Sequence, residues 1–578
     1  MDEHLASQLN AIIRRYRQKF PLTAVEGGLG VIVLLVAFYA FALSAVLNIG
    51  RDYQWSALWQ DSYIRHVIAF SFGQAFLSAL LSVLIGVLFA RAFFNQPFRG
   101  KSLILKVFSL TFVLPALVAV LGLLGIYGHS GWLAHLFADL RTFRLVAVLG
   151  LLGIYGHSGW LAHLFAALGI DWQPNIYGLS GILIAHLFFN IPLASRLFLQ
   201  ALSSIPNQQR QLSSQLNIRG WQFVRLIELP YLRSQFIPAF ALIFMLCFTS
   251  FTLVLTLGGG PRYTTLEVAI YQAILFEFDL PKAATLALLQ CGFCLGLLII
   301  STVFNGKPEA SLNFRAFWRE KQSSAVQIWQ VFFLSIMLVF LFSPLLSLLV
   351  SGLQWEVWRG LWRNAPLWRA LTFSLTLAPT AAFVAILLSM ALLLFARRLA
   401  WLNAAYRANF ITNIGMIVLA IPTLVVALGL FIRLQDIDFQ QWHLFLIVAF
   451  CNGIMAMPFV VRTLAVPMYQ NMQYERLCQS LGVQGWQRWR IMEWQALNAP
   501  MRYAFALACA LSLGDFTAIA LFGSQDFTSL PYLLYQQLGA YRVKEASVTA
   551  LILLLLCGAL FVFIEQQRPK TEEKTGAK

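Results

Sequence analysis

Few residues in this chain could do chemistry, and their arrangement points away from catalysis. There is no His-Glu-x-x-His, no Gly-x-Ser-x-Gly and no cluster of carboxylates, so no metalloprotease, activated-serine or paired-acid site is legible. The nearest approach to a phosphate loop, Arg99-Gly100-Lys101-Ser102, has Asn95 where the first glycine is required and lies between two apolar runs. A nucleotide site needs that glycine-rich turn after a buried strand. Cys291 and Cys294 form a Cys-x-x-Cys inside LLQCGFCLGLLII, with no second pair or histidine to complete a zinc set. His129, His135, His157 and His163 are spaced six apart within each pair, which does not put both on one helix face. Neither group is read as a metal site, and no cofactor is expected in this chain. What remains is one acid, Asp515, within an apolar stretch where an ionised group is costly. It either faces a polar pathway or caps a broken helix in the SLGDF turn.

The elements that must hold these residues are set by composition. Of 578 residues, 59% are apolar and only 11% charged, against about 25% charged in soluble domains. The solvent of most of the chain is therefore hydrocarbon. Runs of about 20 apolar residues begin near Gly28, Val67, Val107, Tyr177, Phe236, Ala283, Ile328, Leu371, Phe410, Trp442, Met501 and Ser547. The expected fold is an all-α polytopic membrane protein of about 12 spans. The net charge of +17 is mainly topological: 29 of the 41 Lys and Arg fall on the side that holds both termini. The positive-inside rule makes that side cytoplasmic, with lipid and not nucleic acid as the neighbour of the charge. The seven Cys, odd in number and mostly in apolar runs, read as membrane-packed thiols.

Internal repeats divide the chain. QLSSQLNIRGWQFVRLIELPYL at 211–232 aligns without gaps with RLCQSLGVQGWQRWRIMEWQAL at 476–497, an offset of 265 with eight of 22 positions identical. The shared residues include Gly220/Gly485, Trp221/Trp486, Arg225/Arg490 and Glu228/Glu493. The same offset places Ser250-Phe251-Thr252 opposite Asp515-Phe516-Thr517, so the acid occurs in one half only. The expected organisation is an N-terminal cytoplasmic tail (1–27), a first six-span half (28–304), a linker (305–325), a second half in parallel repeat (326–566) and a C-terminal tail (567–578). A second repeat copies 117–138 letter for letter at 145–166. One added span would invert every later loop of that half. The copy is therefore expected to form a re-entrant, interfacial or extracytoplasmic helix-loop. Two equivalent, partly amphipathic cytoplasmic segments suit symmetric docking of two copies of one soluble partner. Basic loops lying on lipid headgroups are the plainer reading.

These segments resemble the signature loop of ATP-binding-cassette importer permeases, Glu-Ala-Ala-x3-Gly-x9-Ile-x-Leu-Pro. The matching positions are Gln211-Leu212-Ser213, Asn217, Ile227, Leu229 and Pro230, and then Arg476-Leu477-Cys478, Gly482, Met492, Trp494 and Gln495. The leading Glu-Ala-Ala is degenerate in both, Gly survives only as Gly482 and Pro only as Pro230. HLFFNIPLASRLFLQAL (186–202), FTLVLTLGGGPRYTTLEVAIYQA (251–273) and LSLGDFTAIALFGSQDFTSLPYLLYQQLGAYR (511–542) look like the fused permease of bacterial thiamine importers. Ferric-iron permeases of the same design are the chief alternative, and a secondary transporter is the next. The resemblance implies a multi-pass inner-membrane pathway subunit without enzymatic activity. It implies two copies of a cytoplasmic ABC ATPase that bind ATP and Mg, and a periplasmic substrate-binding protein. For a cationic thiazolium cargo, Asp515 with Phe251 and Phe516 would offer charge pairing and cation–π contact, with Ser250 as the acid's counterpart. The segments 258–272 and 523–537, carrying Tyr271 and Tyr535, would be scoop-like extracytoplasmic loops or simple re-entrant packing helices.

Overall fold

The computed structural model describes residues 23–51, 59–98, 100–128, 132, 177–303, 322–353, 355–360, 364–402, 404–415, 421–435, 441–483, 485–523 and 527–566. The second copy of the repeat at 145–166, the four histidines of the two copies, most of the linker and almost all of both tails lie outside them.

Among the described residues all regular structure is helical. The first half gives α1 (Thr23–Gly50), α2 (Ser62–Asn95), α3 (Lys101–Val113), α4 (Ala116–Tyr127), α5 (Leu179–Ser203), α6 (Asn207–Gln215), α7 (Leu229–Phe248), α8 (Phe251–Leu257), α9 (Leu266–Leu275) and α10 (Leu280–Val303). The second gives α11 (Ser324–Gly352), α12 (Ala365–Trp401), α13 (Ala405–Ile414), α14 (Thr423–Leu434), α15 (Gln441–Gln470), α16 (Glu475–Ser480), α17 (Trp494–Gly514), α18 (Thr517–Phe522), α19 (Leu530–Gly539) and α20 (Val543–Gln566). Apart from a short helix at Trp355–Gly360 between α11 and α12, the two orders correspond, each helix to the one ten numbers later. Ten described helices are long and apolar enough to cross a membrane. The two remaining runs, expected to begin at Val107 and Phe410, are each divided into a pair, α3–α4 and α13–α14. The cause of the first break is Pro115, which has no N–H and drives the preceding Leu114 out of the helical region. Pro115 and its counterpart Pro422 sit in the same extended conformation, at φ −58° with ψ 136° and 139°, before α4 and α14.

By contacts the chain forms two compact units, and neither is a continuous half of the sequence. One contains residues 1–46, 374–513 and 559–578. In it α1, from the start of the chain, packs among second-half helices: the Phe38 and Phe450 rings meet edge to face at 5.0 Å. A Cβ on Gly429 of α14 would stand 2.2 Å from the Ala42 carbonyl oxygen, so only glycine permits that approach. The other unit contains 47–373 and 514–558. In it α11 lies against first-half α4, where a Cβ on Gly122 would meet the Pro344 carbonyl oxygen at 2.5 Å. Gly122 and Gly429 are counterparts in the LVAVLG and LVVALG runs. The same small-residue device thus seats the first helix of each half on the short helix of the other, as tight backbone approach in lipid requires. All seven cysteines are buried free thiols.

Candidate functional site

The two repeated segments fold alike from the backbone up. α6 ends in a Schellman turn, with Leu216 N–H donating to the Leu212 carbonyl (3.0 Å) and Ile218 N–H to that of Ser213 (2.9 Å). Leu481 and Val483 N–H make the same bonds to Leu477 (3.1 Å) and Cys478 (2.9 Å) after α16. The turn needs a left-handed residue, and it uses Asn217 (φ 53°) in one half and Gly482 (φ 67°) in the other. This explains why the signature glycine could be lost: asparagine is among the few residues that enter this region at small cost. A turn at Gly220 (φ 57°) then leads through Trp221 into π-helix Val224–Glu228 and on into α7. Its counterpart is π-helix Trp489–Glu493 before α17.

What each segment exposes also repeats at the offset of 265. Leu212, Leu216, Leu226 and Leu229 in one, and Leu477, Leu481, Ile491 and Trp494 in the other, are large apolar side chains left open. Gln211, Asn217, Trp221, Arg225 and Pro230 are exposed beside the first set, and Gly482 and Arg490 beside the second. The side chains of Arg476 and Trp486, and the surroundings of Gly485, lie outside the described set. Leu226, Leu229, Ile491 and Trp494 fall within candidate membrane spans, where lipid can cover them, whereas Leu212, Leu216, Leu477 and Leu481 lie outside the spans, and their repetition there is the mark of a surface meant to be covered.

Glu228 and Glu493 are placed differently from their neighbours: they are 1% and 5% exposed. Glu228 accepts from Arg91 Nε at 2.7 Å, and Glu493 from Arg397 Nη2 at 2.8 Å. The two acids therefore stand behind the exposed face and tie each π-helix to the end of α2 or α12. The second half extends its pair into a chain, because Arg488 reaches Glu493 at 3.2 Å and also bonds Glu475. Burial lowers the Arg488 guanidinium, but the hydrogen bond and charge of Glu475 and the charge of Glu493 outweigh it and raise its pKa. The first half replaces this chain: Arg210 stands where Glu475 does, and Phe223 where Arg488 does. Arg210 is buried, donates to the Leu202 carbonyl at 2.6 Å and lies over the Phe94 ring at 4.6 Å. The two segments share a shape and an Arg–Glu pair, and only the second extends that pair into a chain. Sequence reading missed both arginines, although Leu-Phe-Ala-Arg at 88–91 recurs at 394–397.

The predicted pathway residues gather within one compact unit. Ser250 precedes α8, and Asp515 and Phe516 precede α18, so each long helix, α7 or α17, breaks at the same repeat position. Asp515 Oδ1 accepts from the Thr517 N–H at 3.2 Å, and the carboxylate also faces the N–H groups of Phe516 and Ala518. The capping contact is therefore present. Phe251 and Phe516 are both buried and stack at 5.9 Å with 14° between planes. Tyr271 abuts Phe251 at 5.2 Å and Tyr535 abuts Phe516 at 5.0 Å, which completes a two-fold aromatic plug from α8, α9, α18 and α19. The segments 258–272 and 523–537, anticipated as scoop-like loops or re-entrant packing helices, supply the start of α9 and of α19. Beside the plug, α4, α5, the α7–α8 break and Thr517 enclose a cavity of about 260 Å³. Its wall includes Ser250 and Phe251, and also His186 and Asn190, which sequence reading passed over.

No family model matches the chain. Among curated proteins it is 56% identical over 543 residues to the thiamine transport system permease protein ThiP of Haemophilus influenzae, covering 94% of this chain and 96% of that one. It is 42% identical to the protein of the same name from Escherichia coli, over 93% of this chain and 94% of the relative. The corresponding protein of Brucella abortus is 38% identical over 95% and 96%. At these identities, sustained along nearly the whole chain, it belongs to the family of thiamine transport system permeases.

Proposed function

We propose that this chain is the membrane pathway of a binding-protein-dependent ATP-binding-cassette importer, carrying thiamine or its phosphates across the bacterial inner membrane. The observation that supports this most strongly is the pair of docking elements, each exposing the same four apolar positions and each tied by a buried Arg–Glu pair to a membrane helix. One copy of a cytoplasmic ATPase sits on each element and holds the ATP and Mg; this chain hydrolyses nothing. Movement of α6 or α16 by the ATPase passes through Glu228–Arg91 or Glu493–Arg397 into α2 or α12. The stacked Phe251–Phe516 plug then parts to admit cargo, and Asp515 supplies a negative charge near the path of a thiazolium cation.

Both termini and the docking elements lie on the cytoplasmic side. On the opposite side, Phe278 and Tyr541 mark the contact for a periplasmic binding protein. They follow α9 and α19, are 80% and 90% exposed, and are both held at left-handed φ of 53° and 59°. An aromatic residue in that region is strained, and strain held twice at matching turns marks a used surface. Ferric iron as cargo fits poorly, because a hard trivalent ion calls for oxygen anions and the cavity wall contains no carboxylate. The test is co-purification. The tagged permease should retain a soluble ABC ATPase, and simultaneous charge reversal at Glu228 and Glu493 should uncouple ATP hydrolysis from transport. Retained coupling in that variant removes the transmission role.

A further inference from the structure

The cavity beside the plug has features that the pathway role alone does not require. Among its lining side chains none carries a formal charge: they are alanine, leucines, Phe189, Phe251, hydroxyls of Thr249, Ser250, Thr252 and Thr517, and the polar pair His186 and Asn190. His186 is 2% exposed, and one ring nitrogen, Nδ1, is hydrogen-bonded to Ser78 Oγ at 2.9 Å. The other, Nε2, is buried without any partner. A buried ring nitrogen left unpaired is costly, and such groups call for an explanation. Asn190, one turn further along α5, is anchored through its amide, which donates to Cys247 Sγ at 3.2 Å. The counterparts of His186 and Cys247 are Asn452 and Ser512, which bond directly to one another at 3.0 Å. The imidazole is therefore a property of the first half alone, although Asn452 also leaves its Oδ1 buried without a partner.

We propose that this cavity is a way-station subsite for the neutral aminopyrimidine ring of the cargo, with His186 Nε2 as its polar anchor. The proposal rests on the thiamine reading and deepens it. Thiamine joins an uncharged aminopyrimidine, rich in donors and acceptors along one edge, to a permanently charged thiazolium. An uncharged wall cannot compensate a buried ion, so the charged ring and any phosphate stay outside while the pyrimidine enters. The faces of Phe189 and Phe251 provide stacking surface. With Nδ1–H donating to Ser78 Oγ, Nε2 is an acceptor for the exocyclic amine, at the position where oxythiamine presents only another acceptor. The volume, about 260 Å³, lies near the lower end of small-molecule sites and has room for the ring.

The test uses the assembled importer in proteoliposomes, with the binding protein saturated by cargo so that its own selectivity drops out. Three cargoes are compared: thiamine, oxythiamine, which replaces the pyrimidine amine by an oxo group, and pyrithiamine, which keeps the aminopyrimidine and changes the cationic ring. His186→Leu should lower thiamine and pyrithiamine uptake together by about three- to tenfold, the worth of one hydrogen bond. Oxythiamine uptake should change little, so the thiamine-to-oxythiamine ratio falls by the same factor. His186→Gln should restore part of the ratio, and Ser250→Ala, a gentler change in the same wall, should move it in the same direction. Complex yield and cargo-independent ATPase activity report folding. A uniform loss of all three cargoes, or an unchanged ratio in both His186→Leu and Ser250→Ala, overturns the subsite. Failure of the unaltered complex to transport thiamine at all would instead overturn the cargo assignment.

Discussion

Truncation of Leu216 and Leu481 to alanine is the most direct probe of the docking face. The two residues occupy the same position at the ends of α6 and α16 and are 63% and 68% exposed. Leucine to alanine removes about three carbons, worth about 0.8 kcal/mol each when fully buried. If the ATPase covers the fraction now open, each truncation costs about 1.5 kcal/mol, or roughly tenfold in Kd at 1.4 kcal/mol per decade. In the double variant each of the two sites should weaken about tenfold, so the overall constant for seating both ATPase copies falls about 100-fold. The assay is titration of the purified ATPase against permease in nanodiscs, with Leu34→Ala as control. Leu34, in α1, is an exposed apolar residue of a membrane span and its truncation should leave Kd unchanged. Binding by the double variant within twofold of the unaltered protein would refute the docking assignment. So would an equal loss from Leu34→Ala.

Three further outcomes follow from particular contacts. Arg91→Met should destabilise the protein by about 2–3 kcal/mol, below the 3–5 of a fully buried pair because Arg91 is partly open, and Arg397→Met by about 1 kcal/mol. The difference arises because Glu493 keeps a direct ion pair with Arg488 at 3.2 Å, whereas Glu228 keeps only the charge of Arg210 without an ion pair at that distance; thermal unfolding that reverses the order contradicts the cross-link described. Asp515→Asn retains an oxygen for the Thr517 N–H and should leave complex yield intact while lowering thiamine uptake several-fold; unchanged uptake and cargo-stimulated ATPase activity would reduce Asp515 to a cap. Phe278→Ala with Tyr541→Ala should abolish most stimulation of ATPase activity by the binding protein without lowering basal hydrolysis, and full stimulation would remove those residues from the contact.

Much of this architecture was legible in the sequence because hydrocarbon imposes few choices. Apolar runs located the ten long helices, and the 265-residue offset matched segments whose turns, π-helices and exposed leucines coincide in space. The break at Pro115 was not legible from hydropathy, because both flanking runs are apolar and the missing N–H leaves no mark in a hydropathy scale. Glu228 and Glu493 stand at matched positions of the sequence repeat, but their inward direction was not visible, since it depends on Arg91 and Arg397, more than 90 residues away in the sequence. His186 could not be found by pattern at all. Its significance lies in a nitrogen that nothing satisfies and a void beside it, and neither leaves a trace in residue spacing. The interleaving of α1 and α11 likewise follows from close backbone contact at Gly122 and Gly429, which a one-dimensional reading sees only as two more glycines in apolar runs.

The central claim is tested most directly by uptake of labelled thiamine into proteoliposomes containing this permease, its ATPase and its binding protein, with ferric iron supplied in parallel. The account predicts accumulation of thiamine that requires both ATP and the binding protein, and none of iron. Accumulation of iron, or thiamine uptake indifferent to ATP or to the binding protein, would contradict it.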